Sequence, residues 1–395
     1  MPARRAVIVD IVRSPFGKGR PGGALAGLHP VDLYAHCLTG LIRRTGVDPA
    51  LIEDVITGCV LQVGEQAANI ARQAVLAAGW PIEVPGVTLD RKCGSGQQAM
   101  DFAAAGIVAG AYDLVVAGGV ELMSRTPMKS NRQGLDNLGP LHHRRFPDGL
   151  VGQGISSELI AARWTLSREA MDAYALRSHQ RAAAAEDRGE TARDIVSIPT
   201  DAGIVDQDEG VRRDTDLAKL AGLQPAFRDP ALVNRFPDIT WSVTAGNSSQ
   251  VTDGAFAMLL AEERVAQRLG LTPRAALSHF AVVGDDPILM LTGVIPATRK
   301  CLSRAQLALH DVDAVEVNEA FASVVLAWGQ ALQADLQRVN VDGGAIALGH
   351  PVGASGGRLT ANLLRVLERT GGRWGLQTMC ESGGMANATL IERLG

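Results

Sequence analysis

Val84-Pro85-Gly86-Val87-Thr88-Leu89-Asp90-Arg91-Lys92-Cys93-Gly94-Ser95-Gly96-Gln97-Gln98 carries an apolar run into a glycine-rich turn, and the turn opens a helical pattern that continues to residue 109. A short strand, a tight turn and a helix, in that order, is the building unit of a layered α/β fold. The turn also carries Cys93. A cysteine at a helix start lies near unpaired N–H groups and the positive end of the helix dipole, which favour thiolate over thiol. Lys92 adds to that field. Most intracellular cysteines are small inert hydrophobes; Gly94 and Gly96 weigh against that here, because glycine lets a backbone or a ligand approach closely.

Outward from this stretch the same alternation repeats. Residues 6–12, 54–60, 84–89 and 114–117 read as strands, the last leaving sharply at Gly118-Gly119, and residues 30–44, 69–78 and 97–109 read as helices. Short apolar strands between helices argue for a mainly parallel or mixed sheet covered on both faces. Residues 121–242 break the regularity with paired histidines, many charges and Pro-Gly interruptions. They read as an inserted loop domain with helices at 156–162 and 168–187, the second capped by Ser167. Patterning resumes at Val243-Thr244-Ala245-Gly246-Asn247-Ser248-Ser249 and a helix-like run at 254–260.

From residue 271 the first half appears again. Residues 313–319 echo 54–60, Gly349-His350-Pro351-Val352-Gly353-Ala354-Ser355-Gly356 with its following helix echoes the Cys93 turn, and residues 376–380 with the Gly383-Gly384 exit echo 114–119. Three echoes in one order predict a duplicated core and a pseudo-twofold axis. The chain then divides into an N-terminal half at 1–120 completed by 243–270, an insertion at 121–242, and a C-terminal half at 271–395. Such an axis brings the C-terminal turns to Cys93, at strand ends where open α/β sheets place ligands. His350, on its constrained turn, becomes the candidate base; Cys380 is a second thiol suited to acid/base work; Asn318 offers an amide and Glu319 a carboxylate, with a helix N-cap as the alternative role for Asn318.

Composition bounds the partners. The 395 residues are 46% hydrophobic and 4% aromatic, with a formal net charge of −4, so neither nucleic acid nor an anionic membrane is indicated. Arginine outnumbers lysine 33 to 5, and its planar fork suits phosphate where several converge. Five scattered cysteines without a C-x-x-C pair give no disulfide framework and no zinc site. Ala6-Val7-Ile8-Val9-Asp10 is too short and too soon charged for a signal-peptide core, and no run of some 18 apolar residues spans a membrane. A cytoplasmic protein is expected.

Cys93-Gly94-Ser95-Gly96, Val243 to Ser249, Asn318-Glu319-Ala320-Phe321, Gly343-Gly344-Ala345-Ile346-Ala347-Leu348-Gly349-His350-Pro351 and the Cys380 to Gly384 turn together resemble the thiolase family, in its order and over nearly the whole chain. The resemblance implies a duplicated five-layer α-β-α-β-α core and an acyltransferase that cleaves a 3-ketoacyl-CoA with CoA, or the reverse. It also implies no permanently bound cofactor, CoA as a co-substrate, and assembly as a homodimer or homotetramer. Cys93 would attack the 3-keto carbon after losing its proton to His350, Cys380 would protonate the departing enolate and then deprotonate CoA, and His350 with a water carried by Asn318 would hold the thioester oxygen. The backbone N–H groups of Cys93 and Ser382 would form the oxyanion hole, although Ser382 stands where the family usually has glycine. Ser249 matches a position that contacts pantetheine, and Arg212 or Arg213 would meet the nucleotide end.

Small-substrate biosynthetic thiolases carry a histidine before a Met-Gly pair in the insertion. Here that region reads Val151-Gly152-Gln153-Gly154, which implies a roomier, degradative pocket, and the Cys380 to Ala388 ending resembles thiolases of steroid side-chain breakdown. The expectation is therefore fatty-acid or steroid side-chain β-oxidation. The alternatives are an acetoacetyl-CoA-forming biosynthetic thiolase, a ketoacyl-synthase-like condensing enzyme, which Cys380 argues against, and a non-catalytic acyl-CoA or sterol binding protein, which the intact Cys93, His350 and Cys380 set argues against.

Overall fold

The computed structural model describes residues 4–395. Its architecture is easiest to follow from a seam near the middle of the main sheet, where Ala6–Arg13 and Ala275–Gly284 run antiparallel through the pairs Val7↔Ala276 and Ile8↔Ala275. On one side of the seam Thr252–Glu262 follows antiparallel, then Leu114–Leu122 antiparallel, then Val55–Gly58 parallel, with Val87–Leu89 at the edge. On the other side Met385–Arg393 follows antiparallel, then Trp374–Glu381 antiparallel, then Ala314–Val317 parallel. The same order of directions on both sides is the duplication that the three sequence echoes predict.

Helices complete the layers. Pro30–Thr45 and Ile70–Ala77 cover the outer face of the first half, where Leu33, Leu38 and Leu41 pack with Val116 and Leu259. Val294–Ala305 and Ala322–Leu332 cover the outer face of the second, where Val294, Val324 and Trp328 pack with Leu376 and Leu390. Between the halves lie the helices Ser95–Ala109 and Ser355–Thr370, whose Met100, Ile107, Leu364 and Leu367 share one buried cluster with Ile8 and Leu260. This is the expected five-layer α-β-α-β-α core. The chain between Leu122 and Thr252 supplies the helices Gly139–Arg145, Gln153–Arg163, Arg168–Asp187 and Leu217–Ala221 and a small two-stranded sheet. Buried ion pairs tie this insertion to both halves: Asp208 takes a bidentate pair from Arg13 at 2.7 Å on each arm, and Asp194 pairs with Arg365.

Three sequence readings are corrected. Residues 254–260 are not helical; they belong to the eleven-residue strand Thr252–Glu262, buried along its whole length. A strand covered on both faces loses its period-two alternation, and Gly-Ala-Phe-Ala-Met-Leu-Leu then imitates a buried helix. Gly118 and Gly119 are not a strand exit, because Leu114–Leu122 runs straight through them. A Cβ on Gly118 would lie 2.0 Å from Tyr34 Oη and one on Gly119 2.1 Å from Gly353 O, so close packing demands glycine here. Finally, Asn318 is not a helix cap: the next helix starts at Ala322 with Phe321 in the cap position.

Candidate active site

The Cys93 turn is built by short-range bonds. Arg91 N–H donates to Ser95 Oγ at 2.8 Å, Ser95 Oγ donates to Lys92 O at 2.6 Å, and Lys92 adopts a positive φ of 49°. Gly94 is the cap and Ser95 the first helical residue. Gly96 is forced by contact between the two halves, since a Cβ there would lie 2.5 Å from Gly353 O. Cys93 is buried among Val60, Leu61, Met123, Val352, Leu359 and Met379.

The second half delivers the other groups from equivalent strand ends. Asn318 follows Ala314–Val317 directly, its N–H bonded to Thr378 O at 3.0 Å. Cys380 lies near the end of Trp374–Glu381 and is fully buried. His350 follows Gly349, whose φ is 97°, and its N–H is held by Gln250 O at 3.0 Å and Thr252 Oγ1 at 3.1 Å. Its side chain is oriented by Ser355, a residue that sequence reasoning did not single out although it stood in the quoted echo. His350 Nδ1 and Ser355 Oγ are 2.5 Å apart, and the hydroxyl donates onward to Pro351 O at 2.9 Å. With that proton committed, Ser355 Oγ can only accept, so the hydrogen-bond network assigns the imidazole proton to Nδ1. Nε2 then carries an unprotonated lone pair that accepts from Asn318 Nδ2 at 3.4 Å, while Asn318 Oδ1 is buried without a partner among the described residues.

Electrostatics correct the expectation for Cys93. The helix start was expected to lower its pKa, but burial outweighs it and pushes the thiol up to about 11, with the charge of Glu381 adding to the rise. Gln153 and the backbone N–H groups of Cys93 and Ser382 pull the other way. Lys92 adds little to that field, because it is paired with Asp90 at 2.5 Å. Burial also raises Cys380, with Cys93 as the second cause, and lowers His350 to about 3, helped by the buried Arg358. Thiols and imidazole are therefore all neutral at rest.

The remaining candidates separate. Ser382 has a negative φ while Gly383 and Gly384 have φ of 93° and 78°, so serine fits without strain, and its N–H is among the groups that pull the Cys93 pKa down. Gln153, unremarked within the quoted Val151 to Gly154 segment, places Nε2 3.8 Å from Cys93 Sγ. Glu319 is not a site carboxylate: Tyr174, Ser178, Asn340 and the Ile346 N–H all donate to it, making it a brace between insertion and core. Ser249 is half-buried, with its N–H bonded to Ala320 O at 2.9 Å. Arg213 is spent on Glu186 and Asp187, at 2.9 and 2.8 Å, which leaves the exposed Arg212 as the freer cation. Among the described residues no cluster of three or more His, Cys, Asp or Glu is arranged to hold a metal, and no helix is long and apolar enough to cross a membrane. A buried neutral thiol, an unprotonated imidazole nitrogen, a second thiol and backbone N–H groups near the first sulfur are groups of the kind that acyl transfer through a thioester uses.

Comparison with known proteins bears on this arrangement. Residues 6–264 match the thiolase N-terminal domain and residues 271–393 the thiolase C-terminal domain. The chain is 50% identical over 397 residues to the steroid 3-ketoacyl-CoA thiolase FadA6 of Mycobacterium tuberculosis, covering 98% of this chain and 94% of that one. It is 40% identical to a 3-ketoacyl-CoA thiolase of Saccharophagus degradans, with 99% of each covered. Among solved structures it superposes on the Bacillus anthracis acetyl-CoA acetyltransferase with a TM-score of 0.88, at 38% identity and with 99% of each chain covered.

Proposed function

This chain belongs to the thiolase family, and we infer from that membership and from its site that it is an acyltransferase cleaving a 3-ketoacyl-CoA with CoA to acetyl-CoA and a shortened acyl-CoA. Two pairings support the reading: Cys380 is close enough to Cys93 for the two thiols to interact, and Asn318 Nδ2 faces His350 Nε2 at 3.4 Å, the ring nitrogen that Ser355 leaves unprotonated.

In this reading His350 Nε2 takes the Cys93 proton as sulfur attacks the 3-keto carbon. The C2–C3 bond breaks, acetyl-CoA leaves as its enolate, and Cys380 supplies the proton that carbon needs. The acyl group remains on Cys93 as a thioester whose oxygen faces the Cys93 and Ser382 N–H groups. Cys380, now a thiolate, deprotonates incoming CoA, whose sulfur displaces the acyl group. A water that donates to the unpartnered Asn318 Oδ1 gives its other proton to the thioester oxygen of the departing unit, beside His350. Donors of this kind are each worth about 3–4 kcal/mol of transition-state stabilisation. Ser249 and Arg212 are placed along the CoA arm, with Arg213 in support of the surface around it. The working parts are 1–120 with 243–270 for the nucleophile, 271–395 for the acid/base groups, and 121–242 for the substrate.

For substrate class we favour a bulky 3-ketoacyl-CoA of steroid side-chain breakdown over a short linear one. The identity to the mycobacterial steroid thiolase and Gln153 near the nucleophile support that choice. A cytoplasmic homodimer or homotetramer is the expected form, to be read by light scattering. Kinetics across linear, branched and polycyclic 3-ketoacyl-CoAs test the substrate, and intact-protein mass spectrometry tests the chemistry. An acyl adduct should sit on Cys93 and vanish in Cys93→Ser; normal turnover by that variant refutes the assignment.

A further inference from the structure

Behind the Cys93 turn lies a buried carboxyl that the chemistry above does not use. Glu381 follows Cys380 directly, so strand alternation turns the two side chains to opposite faces. Pairing of Trp374–Glu381 with Met385–Arg393 puts Glu381 on the face it shares with Met379, Asn387 and Thr389, the face that receives the start of the Ser95–Ala109 helix. The approach is close. A Cβ on Gly94 would lie 2.1 Å from Glu381 Oε1, and Asn387 Nδ2 donates to Gly94 O at 3.1 Å.

Glu381 is fully buried, yet neither of its carboxyl oxygens has a hydrogen-bond partner among the described residues. The surroundings are short of donors: among the described residues Gln97 Oε1, Gln98 Oε1, Asp101 Oδ2 and Asn387 Oδ1 are buried acceptors in the same condition, against two unpartnered donors, Arg91 Nε and, two alternations back along the strand, Gln377 Nε2. An ionised carboxylate only accepts hydrogen bonds, so in this shell its charge is left nearly uncompensated. A protonated carboxyl adds a donor to a shell in which unpartnered acceptors outnumber donors.

We propose that Glu381 is a positioning residue that works as a neutral acid: protonated, it completes the polar shell behind the Gly94 turn and leaves Cys93 free to ionise, and its ionisation withdraws the nucleophile. The proposal rests on Cys93 being the nucleophile. The charged groups around Glu381 are Arg91 and Asp90 on the turn before Cys93, Asp101 on the helix and the two thiols. Burial pushes Glu381 up to about 8, Arg91 opposes this, and Asp101 and Asp90 add to it. The sign at the thiol then follows. Below that pH Glu381 is neutral and costs the thiolate nothing; above it the new negative charge holds Cys93 further up, as it does Cys380.

The test is the pH profile of Cys93 alkylation by iodoacetamide, read by peptide mass spectrometry on the full-length protein. A lone thiol gains tenfold in rate per pH unit below its pKa. Wild type should fall below that slope above pH 8, whereas Glu381→Gln, neutral throughout, should keep it and exceed wild type by about threefold or more at pH 9. Superimposable profiles overturn the proposal, and so does levelling that persists in Glu381→Gln, which would place the titration on Asp101. If the variant does not fold, an uninterrupted tenfold slope in wild type from pH 7 to 10 overturns it alone. Absence of Cys93 labelling at every pH overturns the nucleophile assignment and this proposal with it.

Discussion

Replacing Ser355 by alanine tests whether the imbalance of protons around His350 governs the chemistry. Two hydrogen bonds end at Ser355 Oγ, one from His350 Nδ1 at 2.5 Å and one to Pro351 O at 2.9 Å. Pro351 O also accepts from the N–H groups of Ala354 and Ser355, at 2.9 and 3.0 Å, so it stays satisfied. The cost falls on Nδ1–H, which is buried and has no other acceptor to turn to. An unsatisfied buried donor costs about 1–3 kcal/mol. The ring can escape by moving its proton to Nε2, but that N–H then faces the Asn318 amide donor and can no longer accept from Cys93. Either way the penalty appears in the transition state, and 1–3 kcal/mol corresponds to a fall in kcat of about 5- to 150-fold. Thiolysis of acetoacetyl-CoA, followed by loss of enolate absorbance, measures it, with KM expected to change little because Ser355 touches no substrate. Alkylation of Cys93 at neutral pH should slow in parallel. A kcat within twofold of wild type, in a variant that melts like wild type, refutes the tautomer argument.

Ser382→Gly should leave kcat within about threefold, because Ser382 is at negative φ and contributes its N–H, whereas Ser382→Pro deletes that donor and should cost about 100-fold or more; equal effects would remove Ser382 from the oxyanion hole. Gly119→Ala forces a methyl to 2.1 Å from Gly353 O and should lower stability by about 1–3 kcal/mol in chemical denaturation; a neutral result would restore the reading of this pair as a strand exit. Asp101 is fully buried with its pKa raised to about 8, burial being the main cause, and Thr389 Oγ1 donates to it at 2.8 Å. Its folded form holds the proton more tightly than the unfolded chain, so its stabilising contribution is complete at low pH and is lost as pH rises through about 8. Asp101→Asn should therefore melt close to wild type near pH 5 and above it at pH 9; a constant difference across that range would contradict the assignment.

The parts legible in the sequence were those where residue type alone constrains the backbone or the chemistry. Gly349-His350-Pro351, the Cys93 turn and the Cys380 turn stood out because glycine next to a reactive side chain has few structural uses, and their repetition announced the duplicated core. What stayed hidden were contacts between distant segments. The strand Thr252–Glu262 was invisible because burial on both faces erases alternation. The two glycines of Leu114–Leu122 answer to Tyr34 and Gly353, neither close in sequence. Cys93 looked like a thiolate because a helix dipole can be read locally, whereas the burial that overrules it depends on Val352, Leu359 and Met379 from the other half. Glu319, read as a site carboxylate, is occupied by Tyr174 and Ser178 from a helix far earlier in the chain.

The seam joining Ala6–Arg13 to Ala275–Gly284 also sets a timetable for synthesis. Cys93 leaves the ribosome roughly 250 residues ahead of His350, the base proposed for it, an interval of about 10–50 s at ordinary elongation rates. During that interval the first half lacks even its own central strand until Thr252–Glu262 emerges to pair with both Ala6–Arg13 and Leu114–Leu122. The nascent chain thus carries its nucleophile as an ordinary thiol without a base. On the proposed mechanism, acyl-transfer competence waits for the segment that carries both His350 and Cys380.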